Sequence, residues 1–84
     1  MSQARKVLAE VLSGAGDASV RFDALRVLLL ALGFSERTHG SHHIFAKTGV
    51  RDILNLQRDG RDAKAYQVRQ VRRAIVTYHL TLRG

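Results

Sequence analysis

The sequence predicts an α+β domain, with helices packed on one face of a small antiparallel sheet. Two stretches before residue 33 and one after residue 63 place apolar side chains at helical spacing. Between them the spacing shortens toward two, as in strands. The short apolar segments there are separated by glycine-containing turns, too brief for a crossover, so the strands must run antiparallel. The order helix, helix, strand, strand, strand, helix then segregates the helices from the sheet.

Ala4, Val7, Leu8, Val11 and Leu12 form one stripe of an amphipathic helix over 4–12. Ser13-Gly14-Ala15-Gly16-Asp17 ends it. A second helix is predicted from Phe22 to Leu32, with Phe22, Leu25, Leu28, Leu29 and Leu32 on one face. Asp23 stands in its first turn, where the helix dipole favours an acid, and Gly33 lies where a left-handed cap is expected. Phe34 to His39 has no helical stripe and reads as a first strand. Gly40-Ser41 suits a tight hairpin turn into a second strand, His42 to Lys47. After a turn at Thr48-Gly49, Asp52 to Gln57 is a third, with Leu54 and Leu56 on one face and Ile53 and Asn55 on the other. Arg58-Asp59-Gly60-Arg61-Asp62 reads as a polar loop. The last helix is predicted from Lys64 to His79, its core arc made by Val68, Val71, Ala74, Ile75 and Tyr78. The expectation is thus a three-stranded sheet. Residues 1–19 form an N-terminal helical extension with a glycine-rich link, and residues 20–84 form the domain proper.

The 84 residues allow one small domain, and 45% apolar content supports a folded core. Without cysteine there is no disulfide framework and no thiolate metal site. The densest apolar run, Val27-Leu28-Leu29-Leu30-Ala31-Leu32, is far short of the roughly 20 residues that span a bilayer. Met1-Ser2-Gln3-Ala4-Arg5-Lys6 has no apolar signal-peptide region, so the expected compartment is the cytoplasm and no membrane partner is expected. The net charge of +7, from 14 Lys and Arg against 7 Asp and Glu, attracts polyanions. Nucleic acid fits this field; an acidic protein would use it equally.

The stretch with most chemical content is Gly40-Ser41-His42-His43-Ile44-Phe45. Histidine, with an unperturbed pKa of roughly 6.5, gives or takes a proton near neutrality. Gly40 lets a ligand backbone approach, and Ser41 offers a hydroxyl and an N–H for a phosphate oxygen. An imidazole here can take the proton of a ribose 2′-OH as that oxygen attacks the adjacent phosphorus, or protonate the leaving 5′-oxygen. RNA supplies its own nucleophile, and DNA lacks it. The plain alternative is a polar strand start. His42 and Ile44 share one strand face, His43 and Phe45 the other. If Phe45 faces the helices, His42 is on the open side; Ile44, also apolar, argues the reverse, so both histidines stay candidates.

Arg58, Arg61, Lys64, Arg69, Arg72 and Arg73 cluster in the last loop and helix, and Arg37, Lys47 and Arg51 lie on or beside the strands. They suit phosphate contact, or else form a solvated flank. His39, before the turn, is either a surface residue or a further member of the site. His79 would favour a helix C-terminus when charged. The four histidines show no i, i+4 spacing on a helix and no central carboxylate, so neither a metal nor any other cofactor is expected.

Gly40-Ser41-His42-His43-Ile44-Phe45, Ile53-Leu54-Asn55-Leu56-Gln57 and Ala63-Lys64-Ala65-Tyr66-Gln67-Val68-Arg69-Gln70-Val71 resemble the HicA family of toxins from bacterial type II toxin–antitoxin pairs. The Phe22, Leu25, Leu29, Leu32-Gly33-Phe34 helix is similar as well, and the likeness covers about residues 20–80. The resemblance implies a double-stranded-RNA-binding-like fold and a ribosome-independent mRNA interferase activity. It implies a catalytic histidine in a Gly-Ser-His or Gly-Ser-X-His step, which leaves His42 and His43 both open. It also implies an antitoxin partner of the HicB type that covers the active site. One departure is Ala65, where the family pattern leads one to expect proline entering the last helix.

The expectation is therefore a small endoribonuclease acting on mRNA. His42 and His43 are the catalytic candidates, and Gly40, Ser41, Lys47, Lys64, Arg69, Arg72 and Arg73 are the RNA-holding ones. The alternatives are a non-catalytic RNA- or DNA-binding module of the same fold, a regulator that places the last helix in a DNA major groove, and a protein that docks an acidic partner.

Overall fold

A computed structural model describes residues 2–82; Met1, Arg83 and Gly84, which fall within the two predicted units, lie outside the described residues. Helix α1 spans Gln3–Ser13 and is followed by one 3₁₀ turn, Asp17–Ser19. Helix α2 spans Phe22–Ala31. The strands are β1 Ser35–His39, β2 His42–Ala46, β3 Leu54–Asp59 and β4 Asp62–Ala63, and helix α3 spans Ala65–Thr77. All strand pairs are antiparallel, in the order β1-β2-β3-β4. The α+β class is as expected. Among the described residues no helix is long and apolar enough to cross a membrane.

One core holds the elements together. Phe45 of β2 and Leu54 and Leu56 of β3 are buried with Phe22, Leu25, Leu28 and Leu29 of α2 and Val68, Val71 and Ile75 of α3. Val7 and Val11 of α1 belong to the same cluster, so the N-terminal helix is built into the core rather than hung from it. A chain this short gains from that: each buried Val or Leu contributes roughly 1.5–3 kcal/mol.

The sheet corrects the expected strand count, with four strands in place of three. Arg58 to Asp62, read as a polar loop, is a second hairpin, in which Asp59 pairs with Asp62 and Arg58 with Ala63. Gly60 has φ 64° at the first of its two loop residues, and Gly40, with φ 61°, stands likewise in the β1–β2 turn. A positive φ at that position marks the II′ turn, whose twist matches a hairpin. The fourth strand is only two residues long and carries no alternation, so it left no periodic trace. It is held on its far side as well: the Ala63 N–H donates to the Val20 carbonyl at 2.8 Å, and the Phe22 N–H to the Arg61 carbonyl at 3.0 Å.

Helix ends follow the capping rules. The Ser2 hydroxyl accepts from the Arg5 N–H at 3.2 Å and caps α1. Helix α3 begins at Ala65, after an extended Lys64 at φ −70° and ψ 142°. That backbone would admit the proline the family pattern favours at 65. At the end of α2 the Phe34 N–H reaches the Leu29 carbonyl and the Gly33 N–H the Leu30 carbonyl, a Schellman motif. The end of α3 repeats it, with Leu80 N–H to Ile75 and His79 N–H to Val76, but here His79 holds the left-handed position at φ 52°. A side chain there costs about 1 kcal/mol. His79→Gly is expected to raise stability by about 1 kcal/mol, which for a domain of this size moves Tm up by roughly 4–8 °C. Thermal unfolding followed by circular dichroism checks this; a lower Tm would mean that the His79 side chain contributes more than its backbone conformation costs.

Candidate functional site

The strand register sorts the polar side chains onto two faces. His39, His42 and Gln57 form one cross-strand row, and Arg37, Ile44 and Asn55 the next. These rows lie on the open face, away from the helices. Thr38, His43 and Leu56, then Glu36, Phe45 and Leu54, form the rows on the covered face. Burial of Phe45, Leu54 and Leu56 decides which face is which, and the half-buried Ile44 is left on the open one.

His42 is exposed on the open face. Its Nδ1–H donates to Asn55 Oδ1 at 2.9 Å, which leaves Nε2 with the lone pair. Beside it, Gln57 Nε2 donates to Ser41 Oγ at 3.0 Å and steadies the Gly40–Ser41 turn. Helix α3 runs along the part of β3 that the short β4 leaves unpaired. The Gln67 side chain, 1% exposed, accepts the Gln57 N–H at 3.3 Å and so satisfies that strand edge. Strand face and helix flank thereby enclose a recess lined by His42, Ile53, Asn55, Gln57, Tyr66, Gln67 and Gln70. A second recess, lined by Asp52, Ile53, Leu54, Gln70 and Arg73, shares Ile53 and Gln70 with it. Together they make one groove from His42 to Arg73.

His43 lies on the covered face, its side chain 19% exposed. Its ring meets Phe22 edge-on, with centroids 4.8 Å apart. Its Nδ1–H donates to Glu36 Oε2 at 2.9 Å, and Arg26 Nε donates to both oxygens of the same carboxylate at 2.7 and 2.8 Å. Arg26 first, then His43, holds the Glu36 carboxyl below the usual range against the opposing effect of burial. Phe22 also carries the Arg58 guanidinium 4.5 Å from its ring centroid, and Arg58 donates to Asp23 at 2.7 Å. The hydrogen bond from Arg58 lowers the Asp23 carboxyl as well. His43 is thus a packed member of a charged layer that ties β1, β2 and α2 together.

The basic residues expected to hold RNA are brought together only in part. Arg73 lines the groove, and farther round α3 Arg69, Arg72 and Arg73 line one recess with Val76 and Thr77. Lys64 is half-buried immediately before α3. Lys47 follows β2 at the end of the strand away from the Gly40–Ser41 turn. Its Nζ is so close to Gly33 that a Cβ there would stand 2.7 Å from it. Arg72 turns inward: its guanidinium donates to the Val11 carbonyl at 3.0 Å and to both Asp17 oxygens at 2.9 and 3.1 Å. That hydrogen bonding lowers the Asp17 carboxyl and raises the Arg72 guanidinium. Arg72 joins α1 to α3 and is not available to the groove. Among the described residues no cluster of three or more His, Asp or Glu side chains is placed to hold a metal ion.

Sequence reasoning missed Tyr66, Gln70, Asn55 and Gln57 as site members. Only Asn55 and Gln57 carried a signal, since both occupy the strand face opposite Leu54 and Leu56. Arg37 and His39, weighed from the sequence for phosphate contact and as a further site member, share the open face with His42. No family model, no curated protein and no solved structure matches this chain.

Two expected outcomes follow from the ion pairs. Asp17, Asp23 and Glu36 all have folded values below their unfolded ones. The unfolded chain therefore binds more protons in acid, and stability, complete at neutral pH, falls as the pH drops below about 4.5. Urea midpoints measured from pH 7 to pH 3 will show this decline; a flat profile would remove these pairs from the balance. Arg72→Ala is expected to lower Tm clearly, whereas Arg69→Ala and Arg73→Ala change stability by no more than about 0.5 kcal/mol, as exposed sites do.

Proposed function

We propose that this chain is an RNA-cleaving toxin of the HicA type, an mRNA interferase with a double-stranded-RNA-binding-like fold, and that His42 performs its proton transfer. The observation that carries this is the setting of His42. It is exposed, its tautomer is set by Asn55, and it opens onto a groove that leads to Arg73. The likeness of the Gly40-Ser41-His42-His43 step and of the segments around it to that family supports the same reading.

The chemistry needs only what RNA and this face supply. His42 Nε2, with its lone pair free, takes the proton from a ribose 2′-OH. The 2′-oxygen then bonds to phosphorus, the bond from phosphorus to the 5′-oxygen breaks, and that oxygen takes up a proton as it leaves. The products are a 2′,3′-cyclic phosphate and a 5′-hydroxyl end. No metal is required, because the nucleophile is built into the substrate. Ser41, at the turn, would take a phosphate oxygen, Arg73 and Arg69 the backbone beyond it, and the ring of Tyr66, which lines the recess, a stacked base. The Gln57 bond to Ser41 keeps the turn in one conformation. His43, with its Nδ1–H on Glu36 and its ring on Phe22, positions the strand. A HicB-type antitoxin would neutralise the toxin by filling the groove, and the +7 charge favours an acidic partner.

The test is incubation of the purified protein with a long mixed-sequence transcript and with its deoxy counterpart. Cleavage of the RNA alone is expected, with His42→Ala slowed about 10²–10⁴-fold while its Tm is kept. His43→Ala is expected to lose on the order of 1–2 kcal/mol of stability through its Phe22 and Glu36 contacts. RNA bound in a salt-sensitive way yet left intact by the parent protein would replace the nuclease with a binding module.

A further inference from the structure

The face that carries His42 holds a second imidazole. His39 is the register partner of His42 across the Gly40–Ser41 turn, and Gln57 completes the row. Directly opposed residues of an antiparallel pair have Cβ atoms about 4.5–5.5 Å apart and point the same way. Both rings are exposed. The turn between them is two residues long, begins at Gly40 with φ 61°, and is pinned by the Gln57 bond to Ser41. The two imidazoles are therefore neighbours on the open face at the end of the hairpin.

The two rings are not equivalent. His42 has its Nδ1–H engaged by Asn55, so that in the neutral ring Nε2 is the acceptor. His39 has no such partner in its row, where its neighbours are His42 and Gln57. The ionisable residues that share this face are Arg37 of β1, two positions along from His39, Asp59 and Asp62 of the second hairpin, and Arg21, whose backbone bridges Asp62; Tyr66 borders the recess from α3. Arg37 is exposed and lies in the row next to the two histidines, where a phosphate held over them would meet a guanidinium.

We propose that His39 is the second catalytic group, the acid that protonates the leaving 5′-oxygen while His42 acts as base. The inference rests on the nuclease reading above and deepens it. In the complete step the 2′-OH proton passes to His42 Nε2, and the 2′-oxygen bonds to phosphorus. The bond from phosphorus to the 5′-oxygen breaks, and that oxygen takes a proton from the His39 imidazolium. Each histidine ends in the state in which the other began, and exchange with water resets the pair. Neither charge nor protons are left over, and no third reactant is needed.

The decisive experiment compares two substrates that differ only in their need for an acid. One is an RNA oligonucleotide, whose 5′-alkoxide leaves poorly unless protonated. The other is a ribonucleoside 3′-(4-nitrophenyl) phosphate, whose nitrophenolate leaves without a proton. Rates are measured between pH 5 and pH 9 for the parent, His39→Ala and His42→Ala. Both positions are exposed, and circular dichroism confirms the fold of each variant. The expected result is a bell-shaped profile for the parent on the oligonucleotide. His39→Ala should lose about 10²–10⁴-fold on the oligonucleotide, lose the fall in rate at high pH, and keep most of its rate on the nitrophenyl ester. His42→Ala should lose on both. A His39→Ala variant that cleaves the oligonucleotide at the parent rate, or that loses equally on both substrates, overturns the acid role and leaves the nuclease reading standing. A parent protein that cleaves neither substrate removes the nuclease reading itself.

Discussion

The register of one hairpin governs everything this surface can do. Side chains alternate along a strand with period two, so a slip of one residue would exchange the faces of β2 completely. What prevents the slip is burial. Phe45, Leu54 and Leu56 are apolar, lie on one face and meet the helices. A slip of β2 would carry Phe45 to the open face, at roughly 1.5–3 kcal/mol, and bring the charged layer residue His43 out from beside Phe22. The II′ turn at Gly40–Ser41 fixes the same register from the other end. His42 is open to solvent because Phe45, three residues along, is not.

The charged residues divide into two kinds of work. Arg26, Arg58 and Arg72 are committed to carboxylates at Glu36, Asp23 and Asp17. Each pair spans separate elements: α2 to β1, β3 to α2, and α3 to the 3₁₀ turn after α1. The Arg72 pair is the best covered, with side chains 25% and 14% exposed, and it also uses the Val11 carbonyl at the end of α1. With these arginines engaged, the cations left to act on a polyanion are fewer than the composition implies. Arg21 and Arg37 are exposed on the open face, and Arg69 and Arg73 on the flank of α3.

The groove itself arises from an interrupted sheet edge. β4 pairs with only the last two residues of β3, and α3 covers the rest of that edge through Gln67. A buried glutamine with its amide oxygen on a strand N–H is a costly choice for a core position unless the bond is made. Here it is made, and the amide NH₂ reaches the Tyr66 hydroxyl at 3.4 Å. One turn of helix is thereby held beside the open face of the sheet, with Tyr66 and Gln70 forming the wall of the recess that holds His42.

Sequence alone was enough to specify the α+β class, the three helices, the three longer strands and most of the core, although Leu12, on the predicted stripe of α1, is 46% exposed. Each of these is written in local periodicity and turn chemistry, which depend on neighbours in the chain. The Gly-Ser-His-His step was legible for the same reason. The short fourth strand was not, because two residues carry no period. Only the tertiary structure decided which histidine faces out, that Arg72 is a strut and Arg73 a groove residue, and that Tyr66 and His39 stand near His42. Those outcomes depend on which sheet face the helices cover and on how far β4 leaves the edge of β3 open. They are long-range burial and pairing effects, and no stretch of chain encodes them by itself.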